Sequence, residues 1–219
     1  MADAIADSGI YYGDASGGRF SSYGPLIRCG VGLVKIGYDI EGNIYRKWGV
    51  QMNLPGVVQT VPRAELYALR YLLNAATENA NIEFITDNKN NCETFNNDIF
   101  AGTKSVNHDL FKNIFGSISN KLLVVTVRWM PSHLQDKLSA DEEFKLPENV
   151  SMNDVKGNQW ADELAGDSAK SFEVPLNVSS PYLYHKSLTK NTKKTYGHFM
   201  FTAKSSQTHS QSIDPKRTF

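Results

Sequence analysis

The sequence predicts an α/β fold in which three successive strands form an antiparallel meander and helices then alternate with two further strands. Three observations carry that prediction. Runs of period-two or β-branched residues occupy residues 10–14, 30–39 and 43–53, with only turn-forming residues between the last two. A mostly apolar helical pattern follows from Arg63 to about Ala76. Two further strand-like runs, Ile82–Thr86 and Leu122–Met130, are separated by helical segments.

The first strand, Ile10-Tyr11-Tyr12-Gly13, ends at Asp14, where Ala15-Ser16-Gly17-Gly18 reads as a turn. Taken alone, Asp14 reads more readily as a turn-capping acid than as a functional one. Residues 19–29 are polar and broken by Gly24-Pro25. Ile40-Glu41-Gly42 joins the next two strands as a hairpin. Leu54-Pro55-Gly56 ends the meander, and Thr60 is a suitable N-cap for the long helix, with Pro62 tolerated in its first turn. Glu65 lies among apolar residues there. It either complements the helix dipole or has a partner, because a carboxylate beside a core face is costly unpaired.

Ile82–Thr86 ends at Asp87, a second acid at a strand's carboxyl end, and a helix over Asn91–Asn97 follows. Another helix runs from about Asn107 to Ser119. Leu122–Met130 is continuous enough to lie inside a sheet. Pro131-Ser132-His133 then opens a polar insert, 134–156, whose six acids (Asp136, Asp141, Glu142, Glu143, Glu148 and Asp154) face three lysines and which reads as a mobile loop. The last clear helix begins near Val155, with Asn158 and Asp162 at i, i+4 on one face.

The totals bound the function. At 219 residues the chain can bury one sizeable core, and its mean hydropathy is −0.38. No apolar run reaches the length of a membrane span, and the N-terminus lacks the pattern of a secretory signal. Cys29 and Cys92 make neither a disulfide framework nor a zinc site, so an intracellular, monomeric protein is expected. The formal net charge of zero is uneven: residues 176–219 carry seven Lys or Arg and one acid, leaving −6 on the rest. Residues 1–172 therefore read as one domain, and 173–219 as a basic, partly disordered extension. That extension either helps hold a polyanion or is simply solvated.

Four acids punctuate the element order: Asp14, Glu65, Asp87 and Asp162. With Tyr12-Gly13-Asp14-Ala15-Ser16-Gly17, Thr60-Val61-Pro62-Arg63-Ala64-Glu65-Leu66, Ile85-Thr86-Asp87-Asn88, Asn107-His108-Asp109-Leu110-Phe111, Trp129-Met130-Pro131-Ser132-His133 and Gly157-Asn158-Gln159-Trp160-Ala161-Asp162-Glu163-Leu164, residues 8–170 resemble the ribonuclease H family of type 1. The form of residues 58–66 and the insert are most similar to the ribonuclease H domains of protist retroelements. The resemblance implies a ribonuclease H-like fold with a five-stranded mixed sheet, three strands antiparallel and the rest parallel, flanked by helices. It also implies an endonuclease that cuts the RNA strand of RNA–DNA hybrids, in some elements beside a reverse transcriptase domain.

Four gathered carboxylates repel one another and persist only when cations neutralise them, and an all-oxygen donor set suits Mg²⁺ or Mn²⁺. By resemblance, Asp14 would bridge two Mg²⁺ ions, Asp162 would share the ion holding the attacking water, and Glu65 and Asp87 would complete the other. His133 would move protons or assist product release; without its Trp-Met-Pro-Ser context it reads equally as a loop histidine with no role. Thr60 and Asn107 would seat a DNA phosphate, and Asn88 and Asn158 would lie at the substrate. Val61 and Pro62 depart from the pattern, since many members carry amide side chains there that touch the minor groove. Residues 96–106 are too short and too poor in Lys and Arg for a basic protrusion, for which the tail could compensate. An inactive binding or scaffold module, or a nuclease of the same fold acting on another duplex, are the alternatives.

Overall fold

The computed structural model describes residues 6–140 and 143–208, with side chains through residue 193. The first five residues, Asp141 and Glu142 of the insert, and Asp214, Lys216 and Arg217 of the tail lie outside the described residues, as do the side chains of Lys194 and Lys204. The chain divides into two compact units, Met1–Glu173 and Val174–Phe219.

The first unit is built on a five-stranded mixed sheet of order β3-β2-β1-β4-β5. Strands β1 (Gly9–Ser16), β2 (Gly30–Tyr38) and β3 (Ile44–Asn53) form the expected antiparallel meander. β4 (Asn81–Thr86) and β5 (Val124–Trp129) add in parallel on the other side of β1. Helix α1 (Val61–Ala75) covers one face of the sheet and packs against α4 (His108–Lys121). Its Leu66, Leu69, Leu72 and Leu73 meet Tyr11, Leu33, Ile82 and Phe84 in the larger core. The other face is covered by α6 (Met152–Ser171), which lies across β1, β2 and β3.

The seat of α6 is set by missing side chains. A Cβ on Gly32 would stand 1.9 Å from the Ala161 carbonyl oxygen, and one on Gly30 would stand 2.2 Å from that of Ala165. With Ala161, Ala165 and Ala169 on the facing side, helix backbone rests directly on strand backbone. Gly32 pairs with Asp14 across the β1–β2 ladder. The helix turn that carries Asp162 is therefore fixed above the strand position that carries Asp14.

Several boundaries differ from the expected ones. Asp14 lies inside β1, which continues through Ser16, and not at the strand's end. The glycines after it serve their own chain: a Cβ on Gly17 would stand 2.9 Å from the Ser21 side chain, and Gly18 has φ +65. Thr60 does occupy the N-cap position of α1, but its side chain makes no capping hydrogen bond. Helix α2 spans Lys89–Asn97, and a short α3, Ile99–Lys104, adds a turn that the polar sequence concealed. β5 is an edge strand and not an interior one; its outer face carries exposed Val124 beside Arg128, which is neutralised by ion pairs.

The insert is more ordered than a mobile loop. Residues Leu134–Ala140 form α5, and Leu134 and Val150 are buried with Met130, Val155 and Tyr12 in a second core cluster. Helix α6 begins at Met152, three residues before the expected start, with a capping box between Ser151 and Asp154. Asp154 is therefore no solvated loop acid. Its Oδ1 accepts hydrogen bonds from Tyr12 Oη at 2.9 Å and Arg128 Nη2 at 2.6 Å, and its Oδ2 accepts from the Ser151 N–H at 2.8 Å. Burial alone would raise the Asp154 carboxyl, but the bonds from Arg128 and Ser151 outweigh it and hold the group below its usual range.

Replacing Arg128 would strand that buried carboxylate. We expect Arg128→Met to cost about 2–4 kcal/mol in urea unfolding, and Arg128→Met with Asp154→Asn to recover much of the loss.

The second unit holds α7 (Leu176–Thr208), a helix of 33 residues where the sequence shows no sustained periodicity.

Candidate active site

Three acids from three separate elements converge. Asp14 comes from the middle of β1, Glu65 from the second turn of α1, and Asp87 from the residue after β4. Parallel pairing of β1 with β4 brings the first and third to the same end of the sheet, and α1 packs over them. One carboxylate oxygen from each lies within 4.8 Å of the others. Asp14 and Glu65 are buried, and Asp87 is half-buried.

These three line a cavity of about 410 Å³ together with His133, Asn158 and Asp162. Asp162 is exposed and stands at the side of this cavity, outside the close cluster, although its charge acts on both Asp14 and Asp87. Asn158, one turn earlier on α6, is buried, and its Oδ1 has no hydrogen-bond partner. His133 is exposed and has φ +55, a left-handed conformation in which histidine occurs more often than most residues.

The electrostatics are those of crowded, buried acids. Burial first, and then the Asp87 charge, raises the Asp14 carboxyl well above its ordinary value, against the pull of the Ala15 N–H, which donates to Oδ1 at 2.6 Å. Burial and Asp87 push Glu65 up to about 8, while the Asn88 side chain opposes the rise. Asp87 is raised by burial too, although the charge of His133 opposes it.

The donor set fits a hard divalent cation. It offers only carboxylate oxygens, and Glu65 Oε2 is buried without a hydrogen-bond partner. A buried carboxylate with an unpaired oxygen, on a residue grouped with two other acids, is costly unless a cation neutralises it. Asp14, Glu65 and Asp87 could hold such an ion.

The solution structure of the ribonuclease H domain of prototype foamy virus superposes with a TM-score of 0.56 at 19% identity, covering 75% of this chain and 95% of that one. The native protease–reverse transcriptase of the same virus matches with a TM-score of 0.50 at 21% identity, over 78% of this chain and 22% of that one. The chain has the ribonuclease H-like fold. No protein-family model matches the sequence, and no curated protein matches it.

Within this ribonuclease H-like domain, the remaining expected residues fall into two groups. Asn88 is the N-cap of α2, where its Oδ1 accepts from the Asn91 N–H at 2.9 Å, beside Glu65. Thr60 and Asn107 lie at the N-terminal ends of α1 and α4, outside the lining of the acid cavity. Arg63 links these ends, donating from Nη1 to Asn107 Oδ1 at 3.2 Å and to Asp109 Oδ1 at 2.9 Å.

Sequence reasoning missed Arg63 and Asp109 as a pair, and it missed Asp136, whose Oδ2 lies 3.7 Å from His133 Nδ1. The i, i+3 spacing of His133 and Asp136 was a usable signal, but it was hidden by reading the insert as a loop. The hydrogen bond from Arg63 drives the Asp109 carboxyl down to about 2. A depressed acid stabilises the fold above its unfolded value and loses that contribution as pH falls through the folded one. Asp109→Asn is therefore expected to cost under about 1 kcal/mol at pH 7, given the pair's exposure, and progressively less as pH falls through about 2. Urea titrations at the two pH values check this.

Proposed function

We propose that the chain is a metal-dependent endoribonuclease of the ribonuclease H type 1 family. It hydrolyses the RNA strand of RNA–DNA hybrids to 5′-phosphate and 3′-hydroxyl ends, with residues 1–172 as the catalytic domain. The observation that carries the reading is the convergence of Asp14, Glu65 and Asp87 in an open cavity, with Glu65 Oε2 unpartnered. The foamy-virus ribonuclease H domain as a fold neighbour supports it, and the protease–reverse transcriptase neighbour supports an origin beside a reverse transcriptase.

In this reading Asp14, Glu65, Asp87 and Asp162 hold two Mg²⁺ ions, which Mn²⁺ can replace. Two such ions, when bound, would supply activation of a water and neutralisation of the departing oxygen in an in-line phosphoryl displacement. The carboxylates need not act as bases, since their task is to stay ionised around the cations. His133, whose Nδ1 lies 3.7 Å from Asp136 Oδ2, takes up and returns a proton from the cavity wall. Asn158, on the wall of the same cavity, lies at the substrate. Thr60 and Asn107 seat a phosphate of the DNA strand, and the hydrogen bond from Arg63 to Asn107 Oδ1 holds that side chain in place. Asn88 lies beside Glu65, at the substrate's edge.

A second reading, a nuclease of this fold acting on another duplex, is favoured by one observation. Val61, which cannot donate a side-chain hydrogen bond, lines the cavity. The test is a panel of labelled RNA–DNA hybrid, RNA duplex and DNA duplex, each with Mg²⁺, Mn²⁺ or EDTA. Metal-dependent loss of the hybrid's RNA strand alone is expected. Cleavage of RNA duplex at a comparable rate would favour the second reading, and binding without cleavage would indicate a scaffold.

A further inference from the structure

Helix α7 carries no acidic residue anywhere along Leu176–Thr208. Lys186, Lys190 and Lys193 are all exposed on it, and no ion pair engages them among the described residues. At 100° per residue their directions fall within roughly 60° of one another, so they form a single stripe about 10 Å long. Tyr182 continues the stripe, with Lys186 Nζ 5.9 Å from its ring centroid. The hydroxyls of Thr189 and Thr192 are turned back onto the helix, bonding the carbonyls of His185 and Leu188 at 2.9 Å, and so leave the stripe to the ammonium groups.

Three like charges within one face repel, a small destabilisation that adjacent acids normally offset in a helix. Here nothing on the helix offsets it. A repeating anion laid along the stripe would, and residues 1–175 carry a net charge of −6, so the excess of positive charge lies in this C-terminal unit.

We propose that this lysine stripe binds the sugar-phosphate backbone of a nucleic-acid duplex without reading its sequence. Lysine ammoniums act as point charges on phosphates, and the absence of Arg and of side-chain amides on the stripe, apart from its flanks, gives no means of base readout. The inference rests on the proposed function only in naming the hybrid as the duplex that matters; the stripe would hold a DNA duplex equally well.

The test uses the full chain in EDTA, where cleavage does not intervene. Affinity for a fluorescent 20-base-pair hybrid and for a DNA duplex of the same length is measured from 50 to 300 mM salt. Changing Lys186, Lys190 and Lys193 to Gln should weaken both at 100 mM by roughly tenfold or more, and lower the log–log salt slope by about 2–3. Gln is a comparable helix former, so far-UV circular dichroism should be unchanged.

As a control, Lys47, Lys145 and Lys170, exposed on the first unit, are changed to Gln and should leave the slope as it was. An unchanged slope in the α7 variant would overturn the proposal, as would an equal fall in the control. Lysine-dependent binding to phosphatidylserine vesicles with no such effect on duplexes would overturn it in favour of a lipid surface. Failure of the proposed function would show separately, as absent cleavage in Mg²⁺ while the α7 effect on slope persists.

Discussion

Glu65→Gln is expected to make the metal-free protein more stable at alkaline pH while lowering hydrolysis by roughly 100-fold or more. In EDTA, the wild-type melting temperature should fall as pH rises from 5 to 9. The sign follows from the direction of the shift. The folded-state value of Glu65 is about 8 against an ordinary 4.5, so the native state holds the proton more tightly than the unfolded chain does. Stability is then fully present below the ordinary value and is lost as pH climbs through the folded one. The loss is on the order of 2–4 kcal/mol, which corresponds to about 5–10 °C in a chain of this size.

Gln carries no charge to desolvate, so the variant should match wild type at pH 5 and exceed it at pH 9. Added Mg²⁺ should raise the melting temperature of wild type at pH 8 and raise that of the variant much less. Hydrolysis should drop by roughly 100-fold or more, because a ligand and its charge are gone from the developing phosphoryl site. Differential scanning calorimetry across pH, with and without metal, separates these effects from simple misfolding.

Gly32→Val should have the largest effect on folding. Its Cβ would fall 1.9 Å from the Ala161 carbonyl oxygen and 2.8 Å from the Ala165 nitrogen, both backbone atoms that cannot rotate away. Accommodating it means lifting α6 from the sheet and losing the contacts of Ala161, Ala165 and Leu164. We expect a cost above about 3 kcal/mol, a large share of the stability of an ordinary domain. Gly116→Ala provides the contrast. A Cβ there meets nothing within 4 Å inside α4, and the change should stabilise by about 0.5–1 kcal/mol. Where folded Gly32→Val protein can be recovered, its hydrolysis should be impaired, since the displaced helix carries Asp162 away from Asp14.

Much of this arrangement was legible in the sequence, for identifiable reasons. The meander showed because its apolar, β-branched runs are separated by turn-forming residues; β1 and β2, covered by α1 on one face and α6 on the other, are buried along most of their length and carry little alternation. Asp14, Glu65 and Asp87 stood out because each sets a charge in or beside an apolar strand or helix run, whereas the exposed Asp162 showed only through the motif around it. What pattern could not convey was adjacency. An apolar run such as Leu122–Met130 reads as interior whether its far edge is paired or free, and β5 proved to be an edge strand.

Nor does a charge count distinguish a solvated acid from an anchored one. Asp154 belonged to an acid-rich segment, yet it is buried against Arg128 and Tyr12, and only the Ser151–Asp154 spacing pointed to a helix start. The four-acid reading was sharpened in the same way. Three acids stand within ligand distance of one another, while Asp162 stands at the side, held there by glycines on β2 whose purpose is invisible until α6 is seated.

The central claim is that Asp14, Glu65 and Asp87 assemble a cation site that hydrolyses RNA. It is tested most directly by mapping the ends released from an RNA–DNA hybrid labelled on the RNA strand, in Mg²⁺, by wild type and by Asp87→Asn side by side. The account predicts fragments ending in 5′-phosphate and 3′-hydroxyl from wild type, none in EDTA, and a rate lower by about 100-fold or more from the variant. Equal rates from the two proteins, or cleavage that persists in EDTA, would contradict it.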